Sequence, residues 1–199
     1  MRVALVDAGG ANIGSVLFAL QRLGVEAVLT GEARTIRDAD RVILPGVSTA
    51  AMVMGRLRDL DLVETLRTLD RPLLGVCVGM QLLYERSEEG DVECLGLVPG
   101  KVAKLPASSA IRVPHMGWNT LQPMRASAIG AGIEAGDHAY FVHSYAAPVT
   151  DDCVFSSEHG HAFAAVVQRG RVCGAQFHPE RSATTGARLL RNFLEQASA

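Results

Sequence analysis

Apolar runs and helical patterns alternate along the first half of the chain. Arg2–Asp7 is a short apolar run that ends in a Gly-rich stretch, and it predicts a strand. From Ile13 to Leu23 apolar residues recur on one helical face, and Gly24 ends the predicted helix. Three further strands are predicted at residues 26–30, 41–46 and 71–76. Helices are predicted at residues 49–69, with a break near 59–61, and from Met80 onward. This order of elements indicates a parallel sheet with helices on its faces.

The second half of the chain, from Gly96, consists of short β-rich segments separated by Gly or Pro. Residues 161–180 predict two strands joined by a tight turn at Arg169–Gly170, and Ala183–Ala197 predicts a closing helix. We therefore predict an α/β fold with an open, largely parallel sheet flanked by helices and an additional antiparallel β portion in the second half. Since no long linker divides the chain, residues 1–199 are expected to form a single domain.

Composition restricts the possible partners and the compartment. With 48% hydrophobic residues and a net charge of −2, the chain can build a core but has no clustered basic residues for nucleic acid. No run approaches the roughly 18 apolar residues of a membrane span, and the N-terminus does not resemble a signal peptide. A cytoplasmic location is therefore expected. The four cysteines lack metal-ligand spacing, so we expect free thiols and no metal or organic cofactor.

One cysteine occupies an unusual position. Residues 75–79, GVCVG, have the form of a nucleophile elbow, G-x-S-x-G, with sulfur in place of oxygen. Cys77 would lie at the carboxyl end of a strand and at the start of a helix, where the thiolate is favoured. The N–H of Val78 is expected to stabilise an oxyanion. The alternative for Cys77 is a buried cysteine in a tight turn. Cys94, Cys153 and Cys173 are expected to be small buried hydrophobic residues.

The stretch QFHPE, residues 176–180, offers a base for this thiol. Pro179 favours an extended backbone before it, so His178 and Glu180 can project to one side and form a hydrogen bond. A base held by a carboxylate is what a cysteine nucleophile requires. An ordinary surface histidine beside a glutamate would give the same local pattern.

A third stretch, LPGVS at residues 44–48, also follows a predicted strand. The backbone N–H groups of Gly46 and Val47 could lie opposite those that follow Cys77 and contribute to an oxyanion site. A plain turn between a strand and a helix would have the same sequence features, and both alternatives stay open at this point.

In this order the three stretches resemble the class I, triad-type glutamine amidotransferases over nearly the whole chain. Further stretches resemble one branch of that family, the glutaminase subunits of imidazole glycerol phosphate synthases of histidine biosynthesis. These stretches are GVCVGMQLL (75–83), GLVPGKVAKLP (96–106), VPHMGWN (113–119) and YFVHSY (140–145).

The resemblance implies a mechanism and a partner. Cys77 would attack the side-chain carboxamide of glutamine, His178 would transfer protons, and Glu180 would orient His178. The resemblance also assigns the glutamine-binding positions to Gln81, His143, Ser144 and Tyr145. The ammonia would pass to a barrel-shaped cyclase subunit and react there with a phosphoribulosyl-formimino ribonucleotide. The products would be imidazole glycerol phosphate and an aminoimidazole carboxamide ribonucleotide.

Other positions match the family's interface with the cyclase subunit. These are Asn12, His115, Met116, Trp118, Asn119 and Tyr140. Trp118 suits an interface anchor, although an ordinary core tryptophan is an open alternative. His143 could likewise be a satisfied core histidine, while His138, His159 and His161 are expected at the surface.

Two positions depart from the family pattern. Ser48 stands where the family usually has glycine, and Ala8 stands where an aromatic residue is common. Because serine tolerates positive φ poorly, we expect the loop at residues 44–48 to rearrange less freely, or to pivot on Gly46.

Three other functions are compatible with parts of this pattern. One is a glutaminase subunit that serves anthranilate or aminodeoxychorismate synthase, against which the HMGWN stretch argues. The second is a free-standing cysteine hydrolase, and the third is a binding subunit with a degenerate site.

Overall fold

The computed structural model describes residues 1–9, 13–109 and 111–196. Its helices are α1 (Ile13–Arg22), α2 (Ala33–Asp38), α3 (Ala50–Asp59), α4 (Val63–Arg67), α5 (Val78–Gln81) and α6 (Ala183–Glu195). Its first seven strands are β1 (Val3–Val6), β2 (Ala27–Thr30), β3 (Arg41–Leu44), β4 (Leu73–Val76), β5 (Arg86–Ser87), β6 (Val92–Glu93) and β7 (Lys101–Lys104). The remaining strands are β8 (His115–Thr120), β9 (Gln122–Pro123), β10 (His138–His143), β11 (Tyr145–Ala146), β12 (Cys153–Glu158), β13 (Ala162–Arg169) and β14 (Val172–Ala175).

An eight-stranded sheet forms the centre of the fold, in the order β2-β1-β3-β4-β14-β13-β12-β9. The first five strands in this order run parallel, whereas β13, β12 and β9 pair antiparallel. Strands β1, β3 and β4 are buried at every position, as expected for strands covered on both faces. The predicted fold class is therefore confirmed.

Two smaller sheets lie beside the central one. Strands β8 and β10 form an antiparallel pair, and β11, β7, β5 and β6 form a four-stranded sheet. The β8–β10 pair joins His115 to His143 at one end and Thr120 to His138 at the other. Within the described parts of the chain no helix is long and apolar enough to cross a membrane.

Most predicted elements are present, with one correction. The expected break near residues 59–61 separates α3 from α4, and Asp61 there has a φ of 53°. The helix expected from Met80 onward is wrong, because α5 ends at Gln81 after a single turn. The carbonyls of residues 82–84 accept hydrogen bonds from the N–H groups of residues 95–98, and these bonds replace helix continuation. Residue Ala197 of the predicted closing helix lies outside the described part.

Candidate active site

Cys77 lies in a sharp, strained turn between β4 and α5. Its backbone has φ 54° and ψ −113°, a conformation that L-residues with a side chain rarely adopt. A Cβ atom on Gly79 would lie 1.9 Å from the carbonyl oxygen of Leu44, and one on Gly75 would lie 2.5 Å from the oxygen of Gly79. The glycines on both sides of Cys77 therefore permit the close approach of β3, β4 and α5 that forms the elbow.

The sheet brings His178 to this elbow from far along the chain. Strand β14 pairs in parallel with β4, with Ala175 opposite Val76, so the residues after β14 emerge beside Cys77. The N–H of His178 donates to the carbonyl of Tyr140 at 3.0 Å, which fixes the backbone of His178 against β10. The predicted meeting of the elbow with QFHPE thus follows from one strand pairing.

His178 connects the thiol to a buried carboxylate. Its Nδ1 lies 2.9 Å from Oε1 of Glu180, whose side chain is only 1% exposed. Burial alone lowers the pKa of His178, but the hydrogen bonds with Cys77 and Glu180 outweigh it and raise the pKa to about 10. The imidazole is thus held as a cation between a sulfur and a carboxylate, as a thiolate nucleophile requires.

A cavity of about 440 Å³ opens above the elbow. Cys77 and His178 line it, and Glu180 lies behind His178. The predicted glutamine-binding residues also line it, namely Gln81, His143, Ser144 and Tyr145.

The cavity also has charged lining residues that the sequence did not indicate. Glu89 is the acidic side chain among the described lining residues, and Arg181 adds a second positive charge to that of His178. Glu89 accepts a hydrogen bond from the N–H of Ala50 at 2.8 Å. Glu89 lies in a polar stretch that looks like an ordinary surface loop, so only the tertiary structure reveals its position.

The residues predicted to form the oxyanion site lie close together, but not all of their backbone N–H groups are available to bind an oxyanion. Val47 and Val78 line the cavity, whereas Gly46 is buried beneath it. The N–H of Val78 donates to the carbonyl oxygen of Gly46 at 3.3 Å. The donor expected to stabilise an oxyanion is therefore occupied by the neighbouring loop in this structure.

Two buried histidines lie beside the cavity. Nδ1 of His115 is 3.0 Å from Nε2 of His143, and Nδ1 of His143 is 2.9 Å from the carbonyl of Tyr145. Burial lowers the pKa of His143 to about 3 and that of His115 to about 4. Both rings are therefore neutral at pH 7. Within the described residues no cluster of His, Cys, Asp and Glu is arranged to hold a metal ion.

An aromatic pair, of exposed Trp118 and half-buried Tyr140, lies on the outer face of β8 and β10. Trp118 is 53% exposed and packs edge-on against Tyr140, with ring centroids 5.8 Å apart. The guanidinium of Arg181 lies over the Tyr140 ring at 4.8 Å, and Met116 is 64% exposed beside them. The exposure of Trp118 rules out the core alternative and suits a partner surface.

Three other interface predictions have different outcomes. His115 is buried, at 4% exposure, so its side chain lies beneath this surface and cannot contact a partner there. The physical reason is the alternation of β8, which turns His115 inward and Met116 outward. Asn119 is half-buried, and Asn12 lies outside the described residues.

The surface prediction for the remaining histidines holds for two of the three. His138 and His161 are exposed. His159 is half-buried and stacks on His115, with centroids 4.3 Å apart. The predicted burial of Cys94, Cys153 and Cys173 is confirmed, and all three are free thiols.

Comparison with known proteins agrees with this geometry. The family described as "Glutamine amidotransferase class-I" matches residues 4–197. The chain is 63% identical to "Imidazole glycerol phosphate synthase subunit HisH" of Xanthomonas euvesicatoria pv. vesicatoria over 195 residues, 98% of each chain. It is 60% identical to the protein of the same name from Xylella fastidiosa strain Temecula1, over 99% of this chain and 98% of that one.

Solved structures show the same fold at low identity. A structure described as "Crystal structure of glutamine amidotransferase" superposes with a TM-score of 0.74 at 21% identity, covering 97% of both chains. The structure of PurLQS from Thermotoga maritima gives a TM-score of 0.71, at 18% identity and 97% coverage of both chains.

Proposed function

The chain belongs to the class-I glutamine amidotransferase family, and from this membership we propose that it is the glutaminase subunit of imidazole glycerol phosphate synthase. It hydrolyses L-glutamine to glutamate and ammonia for histidine biosynthesis. The observation that carries the proposal is the placement of Cys77, His178 and Glu180 at one cavity, in a chain 63% identical to such a subunit over 98% of its length.

Catalysis begins at the sulfur of Cys77. The thiolate attacks the carboxamide carbon of glutamine, and His178 then gives its proton to the departing ammonia. The resulting thioester is hydrolysed by a water molecule that His178 activates, and Glu180 keeps the imidazole in the required orientation throughout. The cationic state of His178, between Cys77 and Glu180, supports this assignment.

The cavity is complementary to an amino acid. Gln81 lines the cavity, and the hydrogen bonds of its amide to Tyr145 and Gln176 hold its side chain in place there. The carboxylate of Glu89 and the guanidinium of Arg181 provide opposite charges for the two ends of a zwitterion. Ser144 and Tyr145 complete the lining on the β10–β11 side.

The oxyanion site must open before the attack. Because the N–H of Val78 is bonded to Gly46, the 44–48 loop has to turn away and release this donor. The N–H of Val47 is the second candidate donor from that loop. This closed arrangement supports a low basal activity that rises when a partner rearranges the loop.

The partner in this proposal is the barrel-shaped cyclase subunit, which forms a heterodimer with the chain and consumes the ammonia. The surface formed by exposed Met116 and Trp118 and half-buried Tyr140 is the proposed docking face. Free cysteines are consistent with the reducing cytoplasm as the site of the reaction. We also propose that residues 1–199 form one amidotransferase domain, since β1 near the start and β14 near the end belong to one sheet.

Reconstitution with the cyclase subunit tests the proposal. We expect slow release of glutamate by the isolated chain and a large increase when the ribonucleotide-loaded cyclase is added. A complex with Cys77→Ala should form imidazole glycerol phosphate from ammonium salts but not from glutamine. Full activity of the isolated chain, or ammonia transfer to anthranilate synthase instead, would contradict the proposal.

A further inference from the structure

A chain of hydrogen bonds runs from β8 to the cavity through groups that the mechanism above does not use. His143 lines the cavity, but both of its ring nitrogens are bonded within the protein. His115, which does not line the cavity, is the partner of one of them. These contacts define which nitrogen of each ring carries hydrogen.

The assignment starts from a backbone carbonyl, which can only accept. Nδ1 of His143 must therefore donate to the carbonyl of Tyr145, at 2.9 Å. In a neutral ring Nε2 of His143 is then an acceptor, so Nδ1–H of His115 donates to it at 3.0 Å. Nε2 of His115 is in turn an acceptor for the amide of Asn119 at 3.3 Å. Each hydrogen bond in this series is therefore donated in the direction from β8 to Tyr145.

The Tyr145 carbonyl connects this chain to the substrate side of the cavity. The same oxygen accepts a second hydrogen bond from Nε2 of Gln81, at 2.8 Å. Gln81 donates its other amide hydrogen to Oε1 of the fully buried Gln176, at 3.0 Å. The orientation of the Gln81 amide at the cavity wall therefore depends on where the Tyr145 carbonyl is held.

We propose that His115 is a positioning residue for glutamine hydrolysis, which fixes His143 and, through the Tyr145 carbonyl, holds the Gln81 side chain in place at the wall of the cavity. His115 does this with one hydrogen bond, from Nδ1–H to His143. Its ring is held in place by stacking on Phe141, at 4.9 Å between centroids, and on His159. This inference rests on the proposed function, since it concerns the binding of glutamine at the same cavity.

Substitutions at His115 can separate its hydrogen bond from its packing. His115→Phe keeps an aromatic ring for stacking but has no donor. His115→Gln carries its amide too far along the side chain to replace Nδ1. His115→Asn places an amide N–H near the position of Nδ1 and should restore the bond to His143. His138→Phe, an exposed position on β10, is the matched control.

The experiment measures kcat and KM for glutamine in the complex with the loaded cyclase, together with alkylation of Cys77. We expect His115→Phe and His115→Gln to raise KM about tenfold, since an unpaired buried acceptor weakens the site, with kcat changed less than about threefold. His115→Asn should return KM to within about threefold of the parent value. Alkylation by a glutamine-shaped diazoketone should slow in parallel with the rise in KM, whereas alkylation by iodoacetamide should not change.

Two results would overturn the inference. One is an unchanged KM in both His115→Phe and His115→Gln, with a parent enzyme that hydrolyses glutamine normally. The other is an equal loss of kcat, iodoacetamide reactivity and thermal stability in all three variants, which would indicate a purely structural histidine. A parent complex that does not hydrolyse glutamine would instead refute the proposed function, so the two failures are distinguishable.

Discussion

At Cys77 the backbone and the chemistry have opposing requirements. The elbow presents the sulfur to the cavity beside His178, but it holds a residue with a side chain at φ 54° and ψ −113°. Such conformations cost about 1–3 kcal/mol and persist only where the surrounding structure enforces them. Here the enforcement comes from β4 and β14 on one side and the Gly46 loop on the other.

This strain predicts an unusual order of stabilities. Cys77→Gly relieves the strained φ, whereas Cys77→Ala retains it, so the glycine variant should be the more stable by about 1 kcal/mol despite its greater chain entropy. Urea denaturation of the two inactive variants measures this difference. A more stable alanine variant would contradict the strain argument.

The ion pair of His178 and Glu180, next to the thiol, is the second feature at the scale of single residues. Glu180→Gln removes a charge that raises the pKa of His178, so this pKa should fall from about 10 towards its ordinary value. We expect kcat/KM to drop by about 10²–10⁴, because the imidazole loses its orientation and its charge balance. NMR titration of His178 and steady-state kinetics test this, with the exposed Glu26→Gln as the control.

The same shift has a consequence for stability. A histidine whose folded pKa is raised stabilises the protein fully below its unfolded pKa, and this contribution is lost as the pH rises through the folded pKa. The contribution of His178 is therefore present at neutral pH and disappears near pH 10. In Glu180→Gln the loss should occur at a lower pH, and an identical alkaline profile would contradict the assignment.

At the scale of elements, the contact between β3, β4 and α5 shapes the site. A Cβ on Gly79 would lie 1.9 Å from the Leu44 oxygen, a backbone atom that cannot move without displacing β3. Gly79→Ala should therefore lower the free energy of unfolding by more than about 3 kcal/mol. Gly55→Ala is the matched control in α3, where nothing lies within 4 Å, and should raise it by about 0.5–1 kcal/mol. Similar effects at both glycines would refute the packing argument.

In our proposal the loop at residues 44–48 moves during catalysis, whereas the contact between β3, β4 and α5 stays in place. Ser48 has no positive φ in this structure, and the Val78 donor is closed off by Gly46. If serine limits the rearrangement, Ser48→Gly should raise the basal glutaminase rate about threefold or more, since glycine reaches positive φ at a lower cost. An unchanged basal rate in the isolated chain would argue against this role for Ser48.

The sequence predicted these elements better than it predicted their ends. The first four strands and the GVCVG elbow follow from local patterns, and the structure has them where expected. The extent of α5 could not be predicted, because the carbonyls that follow it bond to residues 95–98, and this pairing is not encoded locally. Glu89 was missed for a similar reason, since only the tertiary fold brings it to the cavity.

At the scale of the whole molecule, two neutral histidines affect acid stability. The folded pKa values of His143 and His115, about 3 and about 4, lie below the ordinary value because of burial. The unfolded chain therefore binds more protons between these values and pH 6.5, so stability is complete above pH 6.5 and falls as the pH drops below it. We expect a loss of roughly 6 kcal/mol by pH 4 for the two rings together, since each contributes over about 2–2.5 pH units and one unit corresponds to about 1.4 kcal/mol.

Thermal unfolding between pH 7 and pH 4 measures this loss. His115→Phe should show a shallower decline than the parent protein, because one of the two buried bases is gone. The exposed His138→Phe should decline like the parent. Parallel declines in all three proteins would show that the buried pair does not control acid stability.

Strand β14 lies between β4 and β13, although it comes from the last quarter of the chain. During synthesis on the ribosome, Cys77 is therefore complete long before the residues that activate it have left the exit tunnel. An unfinished polypeptide therefore cannot hydrolyse glutamine, and a truncated product that ends before Ala175 would be inactive.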